Sequence, residues 1–412
     1  MDSVISLPPL LSMIIDGLPP QQQSEYVYEA EERLNHFVDR YHHVNSLDSY
    51  CRVGLSYASY MYPNTISVDR VVAISVNYAI GFLLDDLFID SPDPFLLDQY
   101  GIDRSACETP DAMLLYFDHL DAVFSQQHAP RNLIETMMWE SGRDILGLSN
   151  QEYWFDCFVQ AVMEHRNVSV ASHADLVSGR TGCFGDLASY TKMRAGNMGG
   201  EFIQLMMEFA NNSYIPNEMR SNEFLQKVTS TTSVHLGYTN DVYSYHKESS
   251  LEANPRNLIT VLMECEGKPV AESVHRAVEL VKEYGRMILE MEAEAAKWGL
   301  EKHMEDIKAL IAGNVYYGCM DPRYRQSDSV YLEHRDMTVD WKIAPLFKVS
   351  TRRMATVKEL QVTSFCAEVQ LKARSCGVKR LQIKCSRVKQ PLVGCTQVKR
   401  FPIGKLLGIV GG

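Results

Sequence analysis

Three side chains able to bind a hard metal ion recur at four-residue intervals late in the chain. Asn240, Ser244 and Glu248 lie within the segment 236–248. If this segment is helical, the spacing places an amide carbonyl, a hydroxyl and a carboxylate on one stripe about 12 Å long, at roughly 1.5 Å rise per residue. Such oxygen ligands suit Mg²⁺ or Mn²⁺. A polar stripe on a solvated helix is the alternative, and these three residues alone leave both open.

A second group of oxygen ligands ends the apolar segment 76–90. Asp85, Asp86 and Asp90 stand where a helix of this composition would finish. Carboxylates at a helix C-terminus are electrostatically unfavourable, because the helix dipole already concentrates negative charge there. A bound divalent cation would remove that repulsion, and departures from local rules often mark functional sites. The alternative is a solvated helix end running into the turn at Pro92.

Most of the chain has the periodicity of helices. From about residue 25 onward, apolar residues recur at three- and four-residue steps in segments such as 68–87 and 112–127, and strand-like alternation is almost absent before residue 345. The pattern predicts a single all-α domain over residues 26–345. Residues 1–25, rich in Pro and Gln, are predicted to form a flexible or loosely docked lead-in.

Charge separates the body of the chain from its C-terminal part. The net charge is -12, yet the residues from Lys348 onward carry 14 Lys and Arg against only Glu359 and Glu368. An acidic body argues against a nucleic-acid surface, which needs clustered cations. Residues 346–412 contain a degenerate repeat with cysteines about ten residues apart, and this composition predicts a disordered basic tail. A small basic module is the alternative.

Cysteine spacing and the N-terminal sequence indicate the cellular compartment of the protein. The ten cysteines form no CxxC pair and no zinc-type Cys/His spacing, which predicts reduced thiols and a cytoplasmic protein. The first residues lack a basic region and are interrupted by prolines, so we expect no signal peptide. No apolar run is expected to reach the length of a membrane span. We therefore predict no stable membrane insertion.

The two oxygen-rich clusters together resemble the class I terpene synthases, and most closely the fungal sesquiterpene cyclases. That family carries an aspartate-rich motif near residue 90 and an Asn-Asp-x-x-Ser-x-x-x-Glu motif about 150 residues later. Residues 85–90 and 240–248 match these motifs, and Lys247 matches the family's frequent Lys before the Glu. Further matches are Arg194, 46 residues before Asn240, for the diphosphate-sensing arginine, and Arg323 with Tyr324 for the Arg-Tyr pair.

The resemblance implies an α-helical bundle around a central active-site cavity, with farnesyl diphosphate as substrate and three Mg²⁺ ions as cofactor, Mn²⁺ being an alternative. The implied product is a cyclic sesquiterpene hydrocarbon or alcohol, formed by a monomer or homodimer. The implied metal ligands are Asp85, Asn240, Ser244 and Glu248, with Asp90 as a further candidate. The implied diphosphate ligands are Arg194, Lys247, Arg323 and Tyr324, while Asp86 pairs with Arg194 in the closed form.

A carbocation formed in such a cavity needs aromatic walls, because the face of a ring attracts a cation by roughly 0.5–2 kcal/mol. Phe82, one turn before Asp85, is the first candidate, followed by Tyr57 and Tyr317; ordinary core packing is the alternative for each. The segment 196–200 resembles the family's helix break, which adds Gly196, Asn197 and Met198 to the candidate pocket. No side chain stands out as a general base, and His235 is expected to be a packing residue.

Three features depart from the family pattern. The first motif reads DDxxxD, one residue longer than the commonest form, and Asn197 stands where the family often has an acid. The tail has no family counterpart. Two alternative functions are a chain-elongating prenyl diphosphate synthase, which would normally carry a second DDxxD motif, and a non-catalytic helical protein that binds metal or diphosphate.

Overall fold

The computed structural model describes residues 8–41, 46–90, 94–177, 186–249, 257–325 and 329–335. Within those ranges the chain consists of helices and loops, with no β-strand. The predicted all-α class is therefore confirmed. The α-helices are α1 (Val27–Arg40), α2 (Leu47–Met61), α3 (Val68–Asp85), α4 (Pro94–Tyr100), α5 (Pro110–Phe124), α6 (Leu133–Ser149), α7 (Glu152–Val177), α8 (Leu187–Asn197), α9 (Gly200–Asn211), α10 (Glu223–Ser249), α11 (Leu258–Glu266), α12 (Val270–Glu290), α13 (Glu292–Ala295), α14 (Glu301–Met320) and α15 (Leu332–Arg335).

Helix packing encloses a central space. Following the contacts around the bundle, α2 packs on α3, α3 on α6, α6 on α5, and α5 on α7. The circuit continues from α7 to α9, α10 and α14, and α14 packs back on α2. α1, α11 and α12 pack outside this ring, against α3 or α10. Every ring helix therefore offers one face to the same interior.

Side-chain caps fix where several helices begin. Ser67 before α3 accepts a hydrogen bond from the Arg70 amide, and Thr109, Asn132 and Asn257 cap α5, α6 and α11 in the same way. Each cap satisfies an amide that the first helical turn would otherwise leave unpaired, which stabilises a helix by about 1 kcal/mol.

The apolar length of α3 contradicts one expectation from the sequence, that no apolar run is long enough to span a membrane. Residues Val68–Phe88 are long and apolar enough to cross a membrane by length and composition, contrary to the expectation that no such run exists. However, 67% of its most apolar window is buried inside the protein. Its apolar surface is covered by α1, α2, α6 and α9, which is the environment of a core helix.

The end of α3 explains how the longer aspartate motif fits the fold. The α-helix ends at Asp85, and Asp86–Asp90 form a π-helical turn. A π-turn joins residue i to residue i+5, which is the separation of Asp85 and Asp90, and such turns often occur at functional sites. The extra residue of the motif is therefore taken up by the wider turn. The side chain of Asp90 lies outside the described part of the chain.

The N-terminal segment, predicted to be a flexible or loosely docked lead-in, makes buried contacts. Residues Leu10–Met13 form a 3₁₀ turn that packs on α10, α12 and α14, and Leu10 and Met13 are fully buried. Further along, the Ser24 amide donates to the Ser59 carbonyl of α2. Two apolar side chains between the prolines thus pack against helices that the periodicity of the segment did not reveal as its neighbours.

The chain forms two compact units, Met1–Leu346 and Phe347–Gly412. All residues of the second unit lie outside the described ranges. The predicted disorder of the basic tail therefore stays a prediction.

The docked N-terminal turn makes a testable contribution to stability. Leu10→Ala should lower the free energy of unfolding by about 2–5 kcal/mol, the usual cost of removing a fully buried leucine side chain. The matched control is Leu11→Ala, because Leu11 is 42% exposed and should change stability by less than about 0.5 kcal/mol. Urea unfolding followed by circular dichroism measures both, and equal effects would mean that the segment is not docked.

Candidate functional site

A cavity of about 300 Å³ lies inside the helix ring. Its size is at the lower end of the range for small-molecule sites, roughly 300–1,000 Å³. It collects many of the side chains singled out from the sequence. The predicted residues that line it are Tyr57, Phe82, Asp85, Arg194, Asn197, Met198, Asn240, Tyr317 and Tyr324.

Asn240 lies at the polar side of this cavity, within the 27-residue helix α10. Its Oδ1 accepts a hydrogen bond of 2.7 Å from Nη2 of Arg194, and its Nδ2 donates to the Tyr243 hydroxyl over 2.9 Å. Arg194 approaches α10 closely at Gly237, where a Cβ atom would lie 3.0 Å from the arginine Cγ. A glycine at that position therefore gives the guanidinium access to the α10 surface.

Asp241 is a member of the site that the sequence reasoning did not assign. It is 1% exposed and accepts hydrogen bonds from Nε of Arg194 at 2.9 Å, from the Tyr190 hydroxyl at 2.5 Å and from the Leu258 amide at 3.3 Å. Burial raises the pKa of Asp241 to about 6, and Arg194 opposes that shift. Asp241 thus balances the guanidinium charge and ties α8, α10 and α11 together.

The hydroxyl of Ser244 is buried without a hydrogen-bond partner among the described residues. Serines in helices commonly hydrogen-bond back to a carbonyl one turn earlier. On the same helix, Ser230, Thr231 and Ser233 do so, whereas Ser244 does not. Thr232 is also unpartnered but lies about three turns away. An unsatisfied hydroxyl at this position fits the chemistry expected of a metal ligand.

Glu248, the last residue of the predicted triad, lies one turn beyond Ser244. Its Oε2 accepts a hydrogen bond of 3.0 Å from Nδ2 of Asn257, the N-cap residue of α11. Neither Ser244 nor Glu248 is in contact with the main cavity. The helix therefore presents Asn240 to the cavity, while Ser244 and Glu248 continue the same stripe along α10.

At the end of α3, Asp85 and Asp86 have different surroundings. Asp85 lines the cavity. Asp86 accepts a hydrogen bond of 2.8 Å from the Tyr50 hydroxyl and lies 3.5 Å from Nη2 of Arg323. Burial and the nearby Asp86 carboxylate raise the pKa of the Tyr50 phenol.

The resemblance implies that Asp86 pairs with Arg194 in the closed form. In this structure the two residues have other partners. Asp86 contacts Arg323, whereas Arg194 is held by Asn240 and Asp241. A contact between Asp86 and Arg194 is not among the hydrogen bonds and ion pairs within the described ranges. That pair stays a prediction for the metal-bound state.

Arg323 and Tyr324 share a 3₁₀ turn, Pro322–Tyr324, directly after α14. The buried Asp321 caps this turn by accepting from the Arg323 amide over 2.8 Å. The Arg323 guanidinium lies 5.3 Å from the centre of the Phe82 ring, which is cation–π distance. Arg323 therefore lies between the carboxylate of Asp86 and the aromatic wall.

The three predicted aromatic residues lie together. The ring centre of Tyr57 is 5.7 Å from that of Phe82 and 4.9 Å from that of Tyr317, both in edge-on arrangements. Tyr243 and Tyr324 extend the wall, with their ring centres 4.7 Å apart. The cavity lining also includes the apolar side chains Ile80, Phe117, Phe124, Met138, Val162 and Ile203, together with polar ones from Asn77, His165, Arg166 and Ser169. An aromatic and aliphatic chamber thus adjoins the polar group of Asp85, Arg194 and Asn240.

The predicted helix break separates α8 from α9. Gly199 has a left-handed backbone with φ of 65°, which glycine adopts without strain. Asn197 and Met198 before it line the main cavity. Gly196 instead lines a second cavity, of about 410 Å³, on the other side of the break.

Two other predicted residues lie away from the cavity lining. His235 is fully buried near Gly285, and burial lowers its pKa to about 3, as expected for a packing residue. Lys247 is half-buried on α10.

The donor set bears on the kind of metal that fits. The described residues hold no cluster of three His, Cys, Asp or Glu side chains placed to bind a metal. Candidate ligands on α10 are instead an amide, a hydroxyl and a single carboxylate, and only the amide, from Asn240, lines the same cavity as Asp85 of α3. Neutral oxygen donors with few carboxylates suit a hard ion that shares its coordination with water and phosphate, and Ser244 offers an unsatisfied oxygen.

Comparison with known proteins decides the family. Residues 77–286 match the family model described as terpene synthase family 2, C-terminal metal binding, over more than half of the 412 residues. The chain belongs to the terpene synthase family. The resemblance seen in the sequence motifs is thereby confirmed, and both motifs lie within the matched range.

Individual members of the terpene synthase family are distant from this chain. Sesquiterpene synthase Agr1 of Cyclocybe aegerita is 24% identical over 176 residues, which is 41% of this chain and 48% of Agr1. Sesquiterpene synthase 3 of Postia placenta is 25% identical over 149 residues, 35% of this chain and 40% of that protein. The chain thus spans about half the length of these curated relatives.

Solved structures share the fold. A crystal structure of SVS_A2, from ancestral sequence reconstruction, aligns with a TM-score of 0.62 and 20% identity over 76% of this chain and 90% of its own. Linalool/nerolidol synthase from Streptomyces clavuligerus, in complex with 2-fluorogeranyl diphosphate, aligns with a TM-score of 0.59 and 16% identity, over 75% and 99%. These likenesses confirm the helical bundle predicted from the sequence.

The residues that sequence reasoning missed are mostly those that hold others in place. Asp241 was visible as the second letter of the Asn-Asp motif, and its position beside Asn240 was the available signal. Tyr190, Asn257 and Asn314 carry no motif of their own. Only their contacts with α10 reveal them.

The pairing of Asp241 with Arg194 predicts a large effect on stability. Asp241→Asn should lower the free energy of unfolding by about 3–5 kcal/mol, since it leaves a buried guanidinium without its counter-charge. The control is Asp98→Asn, which breaks an exposed ion pair with Arg104 and should cost less than about 1 kcal/mol. Urea unfolding at pH 7.5 tests this, and similar losses in the two variants would contradict the structural role of Asp241.

Proposed function

We propose that the protein is a Mg²⁺-dependent terpene cyclase that converts farnesyl diphosphate into a cyclic sesquiterpene, with release of diphosphate. The observation that carries this proposal is one cavity shared by Asp85 from α3, Arg194 from α8 and Asn240 from α10, next to a wall of aromatic side chains. The family membership and the sesquiterpene synthases among the relatives support it.

The polar side of the cavity would receive the diphosphate. Asp85, Asn240, Ser244 and Glu248 would hold Mg²⁺, with Asp90 as a further candidate ligand and three ions expected by resemblance. Bound Mg²⁺ neutralises the charge that develops on the departing diphosphate. Arg194, Arg323 and Tyr324 would donate hydrogen bonds to it, and Lys247 would add a positive charge.

The apolar side of the cavity would shape the hydrocarbon. Phe82, Tyr57 and Tyr317 present rings whose faces would stabilise a cation without reacting with it. The apolar residues that also line the cavity would exclude water, which would otherwise end the reaction early. This division would place the leaving group at one side and the carbon chain at the other.

The proposed enzyme acts in the cytoplasm as a monomer or homodimer, without nucleic-acid or membrane partners. Its catalytic unit is residues 26–345, with the docked segment 8–25 as part of the same unit. Residues 346–412 are proposed to be a basic tail without a catalytic role.

The activity itself is the first test. Purified protein incubated with Mg²⁺ and farnesyl diphosphate should release a cyclic C15 hydrocarbon or alcohol, identified by gas chromatography and mass spectrometry. Geranyl and geranylgeranyl diphosphate, tested in parallel, define the chain length. Longer prenyl diphosphates formed with isopentenyl diphosphate would identify a chain-elongating enzyme, and metal-dependent diphosphate binding without turnover would identify a non-catalytic protein.

The α10 ligands provide a second test. Asn240→Ala combined with Ser244→Ala should lower turnover by at least about 100-fold, because two proposed oxygen ligands are lost. The control on the same helix is Ser230→Ala, whose exposed hydroxyl bonds only to the Lys227 carbonyl. Helical circular dichroism should stay unchanged in both. Full activity in the double variant would refute the metal assignment.

The tail offers a third test. A chain ending at residue 349 should retain kcat and KM within about twofold of the full chain, since no motif of the proposed site lies beyond Tyr324. Size-exclusion chromatography and circular dichroism verify folding. A folded but inactive truncated protein would assign the tail a role in the reaction.

A further inference from the structure

The two outer ligands of the α10 stripe are each linked to a buried asparagine outside α10, Asn240 through Tyr243 to Asn314 and Glu248 directly to Asn257. We propose that Asn257, and Asn314 acting through Tyr243, are positioning residues that orient the metal-binding oxygens of Glu248 and Asn240. This inference rests on the proposed function, because it assigns these neighbours a role in Mg²⁺ binding.

The orientation of the Asn240 amide follows from a chain of hydrogen bonds that begins at a backbone carbonyl. Nδ2 of Asn314, on α14, donates to the Leu236 carbonyl over 3.1 Å. A carbonyl accepts only, so Oδ1 of Asn314 must face the other way, towards Tyr243. The Tyr243 hydroxyl donates to that Oδ1 over 3.2 Å. Because that hydroxyl has used its proton, its oxygen can only accept a further hydrogen bond, and Nδ2 of Asn240 donates one to it over 2.9 Å.

The same orientation of the Asn240 amide follows from the other end of this hydrogen-bond network. Arg194 has only N–H donors, so the atom of Asn240 that contacts its Nη2 at 2.7 Å must be the carbonyl Oδ1. Both ends therefore place the Asn240 oxygen on the side of the guanidinium and the cavity. With Asn314 and Tyr243 at most 1% exposed, water does not replace these contacts.

Asn257 acts in a similar way on Glu248. Its Oδ1 accepts from the Ile259 amide and caps α11, while its Nδ2 donates both to the Asp241 carbonyl at 2.8 Å and to Oε2 of Glu248 at 3.0 Å. One amide thereby fixes the start of α11, the backbone beside Asn240 and one oxygen of Glu248. The other carboxylate oxygen, Oε1, has no hydrogen bond among those described.

Three donors on one helix share a face, but their rotamers are free until neighbouring side chains restrict them. An unrestrained amide or carboxylate loses side-chain entropy when it binds a metal, and an amide that turns its nitrogen inward cannot ligate at all. Partners that orient metal ligands typically contribute 10- to 100-fold in metal affinity. The buried asparagines would supply that contribution here.

Asn257→Ser separates positioning from helix capping. Serine is as good an N-cap as asparagine but cannot donate simultaneously to Asp241 and Glu248 through an amide nitrogen. The matched control is Asn132→Ser, which changes the N-cap of α6 in the same way. Both proteins should unfold at nearly the same temperature without metal.

The readout is binding of Mg²⁺ with inorganic diphosphate, measured by the rise in Tm as Mg²⁺ is titrated. Asn257→Ser should raise the Mg²⁺ concentration for the half-maximal shift by about 10- to 100-fold, and Asn132→Ser should leave it unchanged. Tyr243→Phe, which removes only the hydroxyl between Asn240 and Asn314, should raise it similarly. In turnover assays the loss should be recovered at high Mg²⁺, with kcat less affected than the Mg²⁺ requirement.

The outcomes distinguish the two levels of inference. If the unaltered protein shows neither a Mg²⁺-dependent Tm shift nor turnover, the proposed function fails. If it shows both, and Asn257→Ser and Tyr243→Phe titrate with Mg²⁺ like the unaltered protein, the positioning role is refuted while the proposed function stands. Lower Tm without metal, together with an unchanged Mg²⁺ midpoint, would assign these residues to stability alone.

Discussion

A guanidinium placed inside a helical bundle needs oxygen partners on several sides, and Arg194 obtains them from α10. Asp241 supplies the counter-charge and Asn240 the carbonyl, while Gly237 allows the close approach. An isolated buried charge would be costly, so this arrangement is stable only as a whole. It fixes the position of α8 against α10, and with it the helix break that begins four residues after Arg194, at the end of α8. Much of the polar side of the cavity depends on this contact.

The end of α3 concentrates negative charge, whereas Arg194 brings positive charge into the bundle. An apolar helix buried by its neighbours ends in carboxylates that point towards the interior of the ring and its rim. Asp86 is partly compensated by Tyr50 and Arg323, and the π-turn accommodates the additional residue of the motif. In the proposed function, a cation shared with α10 would bind at this helix end.

The fold groups the aromatic side chains of the cavity beside its polar side chains. Tyr57, Phe82 and Tyr317 form one continuous aromatic surface, although they come from three different helices. Arg323 lies over Phe82, so the aromatic wall and the proposed diphosphate site are in direct contact. This geometry is what a reaction requires when a leaving group departs from a carbon chain that must stay dry.

The sequence by itself determined the class of fold, the family and the candidate ligand residues. Helical periodicity, the i, i+4 spacing of Asn240, Ser244 and Glu248, and the acids after an apolar segment are local patterns, and local patterns are written in sequence distance. Only the tertiary structure decided which residues hold them. Asn257 and Asn314 lie 9 and 66 residues after Glu248, Tyr190 lies 50 before Asn240, and the N-terminal turn docks on helices more than 200 residues away. Contacts of this kind depend on the packing of separate helices, because a buried polar or apolar side chain is satisfied by whatever the fold brings beside it, and no spacing along the chain encodes that neighbour.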